Sequence, residues 1–317
     1  MCKIELDMRT LYFLSAILLV LAGCSEKPAS TSESIDSTDT TETEFTVDFD
    51  LQGHRGARGL YPENSIEGFL AAVELQVNTL EMDVVISKDK KVVVSHEPWI
   101  SSVICLGLDD KPVPEGKGLN MYQMDYDDIT NYNCGSQPHP DFPLQAKIAT
   151  FKPLLGEVVT EVESSVASLE LEPVMYNIEI KSTPEGDNIY HPEPAEFCQL
   201  VYNQVVESEI KERTIIQAFD VRSLQAMKKI DSSIPVALLV YETQGFENDL
   251  EKLGFTPEIY SPYFKLVDEE LVEACKINGI QLIPWTVNEE EDMEEMLELG
   301  VDGIITDYPD VALTLKL

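Results

Sequence analysis

Positive charge is scarce in this chain. Its 317 residues carry 22 Lys and Arg against 58 Asp and Glu, a formal net charge of −36. Such a field repels polyanions, which excludes nucleic acid as a partner and leaves no basic face for an anionic membrane. An anionic small molecule would have to be drawn in by local cations or by a bound metal ion. Cysteine is sparse, at six residues, and no Cys-x-x-Cys knuckle is present, so a thiolate zinc centre is not expected. The apolar run from Leu11 to Leu21 is too short to cross a bilayer. No Gly-x-Gly-x-x-Gly turn follows a strand-like segment, which removes the main support for a doubly wound dinucleotide-binding sheet.

What precedes residue 47 reads as an address rather than as fold. Lys3 and Arg9 lead into the short apolar run, which ends in the small residues Leu21-Ala22-Gly23-Cys24. A basic segment, a short apolar core and small residues at its exit make a secretory signal over residues 1–23. Leu-Ala-Gly-Cys resembles the bacterial lipobox, which implies cleavage before Cys24 and a diacylglycerol on its sulfur. Residues 24–46 are Ser, Thr, Glu, Asp and Pro with almost no apolar content, so they are expected to form a disordered tether. The implied location is the cell envelope, as an extracytoplasmic (periplasmic or outer-membrane) lipoprotein held to the membrane through Cys24. About 270 residues remain, 47–317, enough for one large α/β domain. With Cys2 removed and Cys24 lipidated, Cys105, Cys134, Cys198 and Cys275 are left. An oxidising compartment favours pairing. Of three pairings, Cys105 with Cys134 is preferred because both lie in one loop-rich stretch.

The mature chain is organised around residues 53 to 64, Gly-His-Arg-Gly-Ala-Arg-Gly-Leu-Tyr-Pro-Glu-Asn. A strand-like run ends here in a tight loop punctuated by Gly53, Gly56 and Gly59. It delivers His54, which can move a proton near neutral pH, beside Arg55, whose planar fork grips a phosphate or a carboxylate. Ser65 to Gln76 reads as a helix capped by Ser65. In Thr79 to Ser87 the alternation puts Glu81 and Asp83 on one face and Leu80, Met82 and Val84 on the other. Lys88-Asp89-Lys90 is a turn, and the returning strand brings His96 back toward Glu81 and Asp83.

Residues 97 to about 150 are rich in Pro, Gly, Asn, Asp and Tyr with no sustained period. They read as an insertion over the mouth of the fold, with His139 an exposed loop residue. A helix from Lys152 and a strand over Tyr176 to Lys181 follow, the strand placing Asn177, Glu179 and Lys181 on one face. Strand-like and helix-like segments then alternate: strands over 214–218, 236–240, 258–261, 281–286 and 303–306, helices over 223–230, 246–252, 268–278 and 289–299. Eight strands, starting near 51, 79, 175, 214, 235, 258, 280 and 303, plus the hairpin return at 91, predict a TIM (β/α)₈ barrel. In that fold the site lies at the carboxyl ends of the strands. His54, Glu81, Asp83, Glu179, Gln217, Trp285 and Asp307 all fall at or near such ends.

Glu81, Asp83 and Glu179 form a hard oxygen site that suits one divalent cation, Ca²⁺ or Mg²⁺, better than Zn²⁺. Two histidines flank it, and Arg55 and Lys181 add positive charge, a set suited to a phosphate ester. Two imidazoles can act as general base and general acid. Trp285 is as readily a core residue as a ligand contact. A salt-bridged pair, with Lys181 merely neutralising Glu179, is the plainer reading of part of this set.

His54-Arg55-Gly56, Pro62-Glu63-Asn64, Glu81-Met82-Asp83-Val84, His96 and Glu179-Ile180-Lys181 resemble the glycerophosphodiester phosphodiesterase family. So do Ile216-Gln217-Ala218-Phe219-Asp220, Pro284-Trp285-Thr286-Val287-Asn288 and Asp302-Gly303-Ile304-Ile305-Thr306-Asp307-Tyr308-Pro309. The resemblance runs from about 50 to 312 and implies a metal-dependent TIM barrel that hydrolyses glycerophosphodiesters to sn-glycerol 3-phosphate and an alcohol. By position it implies His54 and His96 as the catalytic pair and Glu81, Asp83 and Glu179 as metal ligands. Arg55 and Lys181 then match its phosphate contacts. Glu97 departs from the Asp usual after the second histidine, and Ala218 from a frequent Ser. Two rival expectations stand: a lysophospholipase D or sphingomyelinase D activity on the same barrel, or a non-catalytic phosphodiester-binding lipoprotein.

Overall fold

Strand β1 (Asp50–Gly53) is buried along its whole length and feeds a loop that turns sharply back into helix α1 (Ile66–Glu74). Ser65 caps that helix, its Oγ accepting from the Gly68 amide at 3.0 Å. These elements belong to a computed structural model that describes residues 49–315. The signal, the tether and Cys24 lie outside the described residues. Strand β2 (Thr79–Ile86) runs parallel to β1, and β3 (Val92–Val94) returns antiparallel to it. The insertion holds the short α2 (Tyr126–Ile129). After it come α3 (Leu155–Leu169), β4 (Met175–Ile180), α4 (Pro194–Glu207), β5 (Thr214–Ala218) and α5 (Val221–Ile230). The chain continues through β6 (Val236–Val240), α6 (Phe246–Leu253), β7 (Ile259–Pro262) and α7 (Glu269–Asn278). It ends with β8 (Gln281–Leu282), α8 (Glu290–Leu299), β9 (Gly303–Thr306) and α9 (Pro309–Ala312).

Apart from β3, the strands are parallel in the order β8-β7-β6-β5-β4-β2-β1-β9. The two ends of that order meet. Asp302 N donates to Leu282 O at 2.9 Å, Ile305 N to Pro284 O at 2.9 Å, and Val287 N to Ile305 O at 3.0 Å. The result is a nearly closed barrel of eight parallel strands and helices, not a doubly wound open sheet, whose edges would stay apart. Strand β8 is shorter than the 281–286 expected. Pro284 has no amide hydrogen to give to a ladder, so regular pairing stops before it. Helix α4 fills a stretch whose sequence pattern predicts no element.

The barrel interior is layered. Ile215, Ala237, Ile259, Ile283 and Ile305 form one apolar cluster. A polar ladder crosses it: Asn177 Nδ2 donates to Gln52 Oε1 at 2.8 Å and to Gln217 Oε1 at 3.1 Å, and Gln217 Nε2 donates to Glu81 Oε1 at 2.6 Å. The amide nitrogens of Asn177 and Gln217 thereby find acceptors inside the barrel, whereas Asn177 Oδ1 is buried without a hydrogen bond.

Strand β2 outruns the barrel. Leu80, Met82, Val84 and Ile86 face the helices, while Val85, beyond Glu81 and Asp83 on the other face, packs under the insertion with Val93. Residues 97–150 therefore have a core of their own, with Ile100, Ile104, Met121 and Ile129 around the Cys105–Cys134 disulfide. The expected Cys105–Cys134 pair is present, whereas Cys198 and Cys275 are separate buried thiols. His139 is not an exposed loop residue. It is buried at 8% exposure, its ring 4.8 Å from that of Phe142.

Candidate active site

The register of the sheet sets the acids. β2 pairs with β4 so that Asp83 lies opposite Glu179 and Glu81 opposite Asn177, and β4 pairs with β5 so that Glu179 lies opposite Gln217. Adjacent strands are only about 4.8 Å apart. One carboxylate oxygen from each of Glu81, Asp83 and Glu179 lies within 4.8 Å of the other two, and all three residues are buried. Burial, together with the charges of Asp83 and Glu179, holds Glu81 well above the ordinary carboxylate range. Glu179 is likewise raised, by burial first. At Asp83 burial acts the same way, but Arg55 and Lys181 outweigh it and hold that carboxyl well below its usual range. Asp83 Oδ1 is buried without a hydrogen-bond partner. Three buried carboxylates converging on one point, one of their oxygens making no hydrogen bond, fit a hard cation.

The loop after β1 supplies Arg55, and the position after β4 supplies Lys181. Arg55 stands at φ 51° and Gly56 at φ 91°, the left-handed pair that turns the chain. A Cβ on Gly56 would lie 2.6 Å from the Gly68 carbonyl carbon, so the loop packs directly on the start of α1. Within this turn the Arg55 amide donates to Glu81 Oε2 at 2.8 Å. Its guanidinium donates to Glu63 Oε2 at 3.0 Å and lies 3.3 Å from Asp83 Oδ2. Asn64 fixes the acid from the other side, donating to Asp83 Oδ2 at 2.8 Å. Lys181 Nζ is 2.6 Å from Glu179 Oε1 and 3.5 Å from Asp83 Oδ1. Burial opposes its charge, but the two acids outweigh burial and raise its affinity for the proton.

Both imidazoles are oriented by carboxylates. His54 Nδ1 sits 2.7 Å from Asp307 Oδ1, and His96 Nδ1 sits 2.8 Å from Glu97 Oε1. A carboxylate can only accept, so the proton is placed on Nδ1 and Nε2 is left free for chemistry. Glu97, which departs from the family's Asp, still reaches its histidine. Burial pushes His54 down to about 4, against the opposing pull of Asp307. Asp307 is itself locked: Arg58 donates to it through Nε at 2.7 Å and Nη2 at 2.9 Å, and Asn288 Nδ2 at 2.8 Å.

His54, His96, Arg55, Glu81, Glu179, Lys181 and Trp285 all line one cavity of about 360 Å³ at the carboxyl ends of the strands. Asp83 does not itself line this cavity but pairs with Arg55 and Lys181, which do. Trp285 combines both readings made of it: Nε1 donates to Ser261 O at 2.8 Å, and the ring faces the cavity beside Phe219 and Tyr241. Cys24 is outside the described residues. The residues not singled out for roles beforehand are those that work by contact. Arg58 and Asn288 hold Asp307, Glu63 holds Arg55, and Gln217 holds Glu81. Asp307 and Gln217 were marked by their strand-end positions, but nothing local named their partners.

A model of the Glycerophosphoryl diester phosphodiesterase family matches residues 54–311. A glycerophosphodiester phosphodiesterase of Caldanaerobacter subterraneus subsp. tengcongensis is 31% identical over 264 residues, covering 83% of this chain and 95% of its own. The crystal structure of a glycerophosphoryl diester phosphodiesterase from Silicibacter pomeroyi, its assignment putative, superposes with a TM-score of 0.75 at 28% identity, over 83% of this chain and 91% of that one. A phosphodiesterase of Oleispira antarctica, solved with the product sn-glycerol-3-phosphate, shares the fold at a TM-score of 0.67 and 19% identity, over 84% and 95% of the two chains. With the match running from the first histidine at the barrel rim to the last helix, the chain belongs to the glycerophosphoryl diester phosphodiesterase family and is an enzyme that hydrolyses glycerophosphodiesters.

Proposed function

We propose that the products are sn-glycerol 3-phosphate and an alcohol, that one divalent cation, Ca²⁺ or Mg²⁺, takes part, and that His54 and His96 carry the protons. Glu81, Asp83 and Glu179 would hold the cation, since their oxygens converge and Asp83 Oδ1 lacks a partner. Such an ion supplies positive charge to the nonbridging oxygens of the phosphodiester. Arg55 and Lys181 add to that charge from the same rim and orient the phosphate. One imidazole, through Nε2, takes the proton of the attacking oxygen, and the other gives a proton to the departing alkoxide. Asp307 and Glu97 each hold a proton on Nδ1, so the ring acting as base presents an empty Nε2 and the ring acting as acid, as an imidazolium, presents its second proton there. The observation that carries the reading is the pair of carboxylate-oriented imidazoles facing one cavity beside three convergent acids. The phosphodiesterase of Oleispira antarctica solved with sn-glycerol-3-phosphate supports the product assignment. The Leu21-Ala22-Gly23-Cys24 run supports a lipid anchor on Cys24 and a place in the cell envelope.

The test is glycerol 3-phosphate release from several diesters, with Ca²⁺, with Mg²⁺ and with chelator. Cation-dependent release is expected. No product from any diester with either cation present would favour a binding protein. A faster rate on lysophosphatidylcholine than on glycerophosphocholine would move the assignment to a lysophospholipase D.

A further inference from the structure

A second cavity, of about 420 Å³, opens beside the first between the barrel rim and the insertion, and His96, Glu179, Lys181 and Phe219 line both. Its outer wall contains Trp99, three residues after His96, and Tyr190 from the loop between β4 and α4. The two rings meet edge to face, with centroids 5.8 Å apart. Lys117 Nζ lies 4.5 Å from the centre of the Trp99 ring and 5.5 Å from that of Tyr190. The pair is held in place by backbone and side chain: Trp99 bridges Asn120, whose Nδ2 donates to Ile189 O at 2.7 Å. Asn120 thus fastens the insertion to the β4–α4 loop next to the rings. Glu97 and Glu185 line the same cavity.

We infer that this cavity receives the leaving alcohol and that the Trp99–Tyr190 pair favours a cationic head group, with Lys117 standing in its place when no substrate is bound. The inference rests on the hydrolytic reading above. Aromatic faces attract cations, and a quaternary ammonium has no hydrogen-bond donor, so rings and nearby acids are what can recognise it. The chain shows such a contact already made by its own ammonium. Lys117 is exposed and flexible, and a tighter-binding cation displaces it into water. The cavity shares His96, so an alcohol seated there has its oxygen on the side of a proton carrier.

The experiment compares kcat/KM for glycerophosphocholine and for glycerophosphoglycerol. Trp99→Ala is expected to lower the choline-to-glycerol ratio about ten-fold, and Lys117→Gln to raise it a few-fold. A companion measurement on the unaltered enzyme uses choline and its uncharged isostere 3,3-dimethylbutan-1-ol as competitors, and choline should bind about ten-fold more tightly. That arm decides the matter even where Trp99→Ala does not fold. Product formation with ratios unmoved by either substitution, or equal competition by the two alcohols, would overturn the head-group inference and leave the hydrolytic reading standing. No product from either diester would overturn both.

Discussion

Asp307→Asn changes one atom and two functions. In the native protein Oδ1 accepts from His54 Nδ1 and Arg58 Nε, and Oδ2 accepts from Arg58 Nη2 and Asn288 Nδ2. An amide cannot serve all four, because whichever oxygen becomes NH₂ sets a donor against two donors. The rigid fork of Arg58 cannot reverse its polarity, whereas the imidazole can, by moving its proton to Nε2. His54 then presents N–H to the cavity: as base it can no longer accept a proton there, and as acid it lacks the carboxylate that supports its imidazolium. In a hydrolase whose buried aspartate supports a histidine in the same way, the equivalent change costs about 10⁴ in kcat. A loss of about 10³ to 10⁴ is expected here, or roughly 4 to 5.5 kcal/mol of barrier. Stability falls as well. Breaking a fully buried pair costs about 3–5 kcal/mol. The Arg58 side chain is 17% exposed and lies 3.7 Å from Glu63, so about half of that is expected. Steady-state glycerol 3-phosphate release, measured well below the midpoint of thermal unfolding, separates the two effects, and KM should move less than kcat. A folded Asp307→Asn variant with kcat within ten-fold of the native value would refute the tautomer argument.

Chelation should abolish turnover and added Ca²⁺ or Mg²⁺ restore it, while Asp83→Asn should raise the half-saturating cation concentration at least about ten-fold; a rate indifferent to chelator would remove the cation. Glu63 bears on acid stability. Burial disfavours its charge, but Arg55, Lys152 and Arg58 outweigh it and bring its pKa down to about 2. Because the folded value lies below the unfolded one, this stabilisation is complete above about pH 4.5 and is lost as pH falls through about 2. Urea titrations from pH 6 to pH 2.5 should show Glu63→Gln losing up to about 3 kcal/mol less across that span than the native chain. Replacing both Cys105 and Cys134 by Ala reopens a loop of sequence separation 29 and should cost about 3.5 kcal/mol by loop-closure entropy, read as a lower unfolding midpoint.

The parts of this enzyme that show in its sequence are those governed by local periodicity. Alternation in Thr79–Ile86 put Glu81 and Asp83 on one face, and the parallel register then needed only Glu179 one strand away. The histidines were visible because each closes a strand. Partners separated by long stretches of chain were not: Asp307 is 253 residues from His54, and Gln217 is 136 from Glu81. Closure of the barrel brings these together, and no local pattern encodes which strand-end polar group meets which. Helix α4 went unread although Phe197, Val201 and Val205 recur at helical spacing, because Gln and Asn dilute its exposed face. His139 was misplaced because its flanking prolines signal a surface turn, while the Phe142 ring and its neighbours cover it. The insertion looked structureless because its core is assembled from scattered residues, Ile100 to Cys134, on the back of the β2–β3 hairpin.

That His54 and His96 both carry protons in one cavity is tested most directly by kcat of His96→Ala at saturating cation. Its ring is about a third exposed at the cavity mouth, so the substitution leaves the fold intact. A fall of at least about 10² is predicted; native turnover by the variant would contradict it.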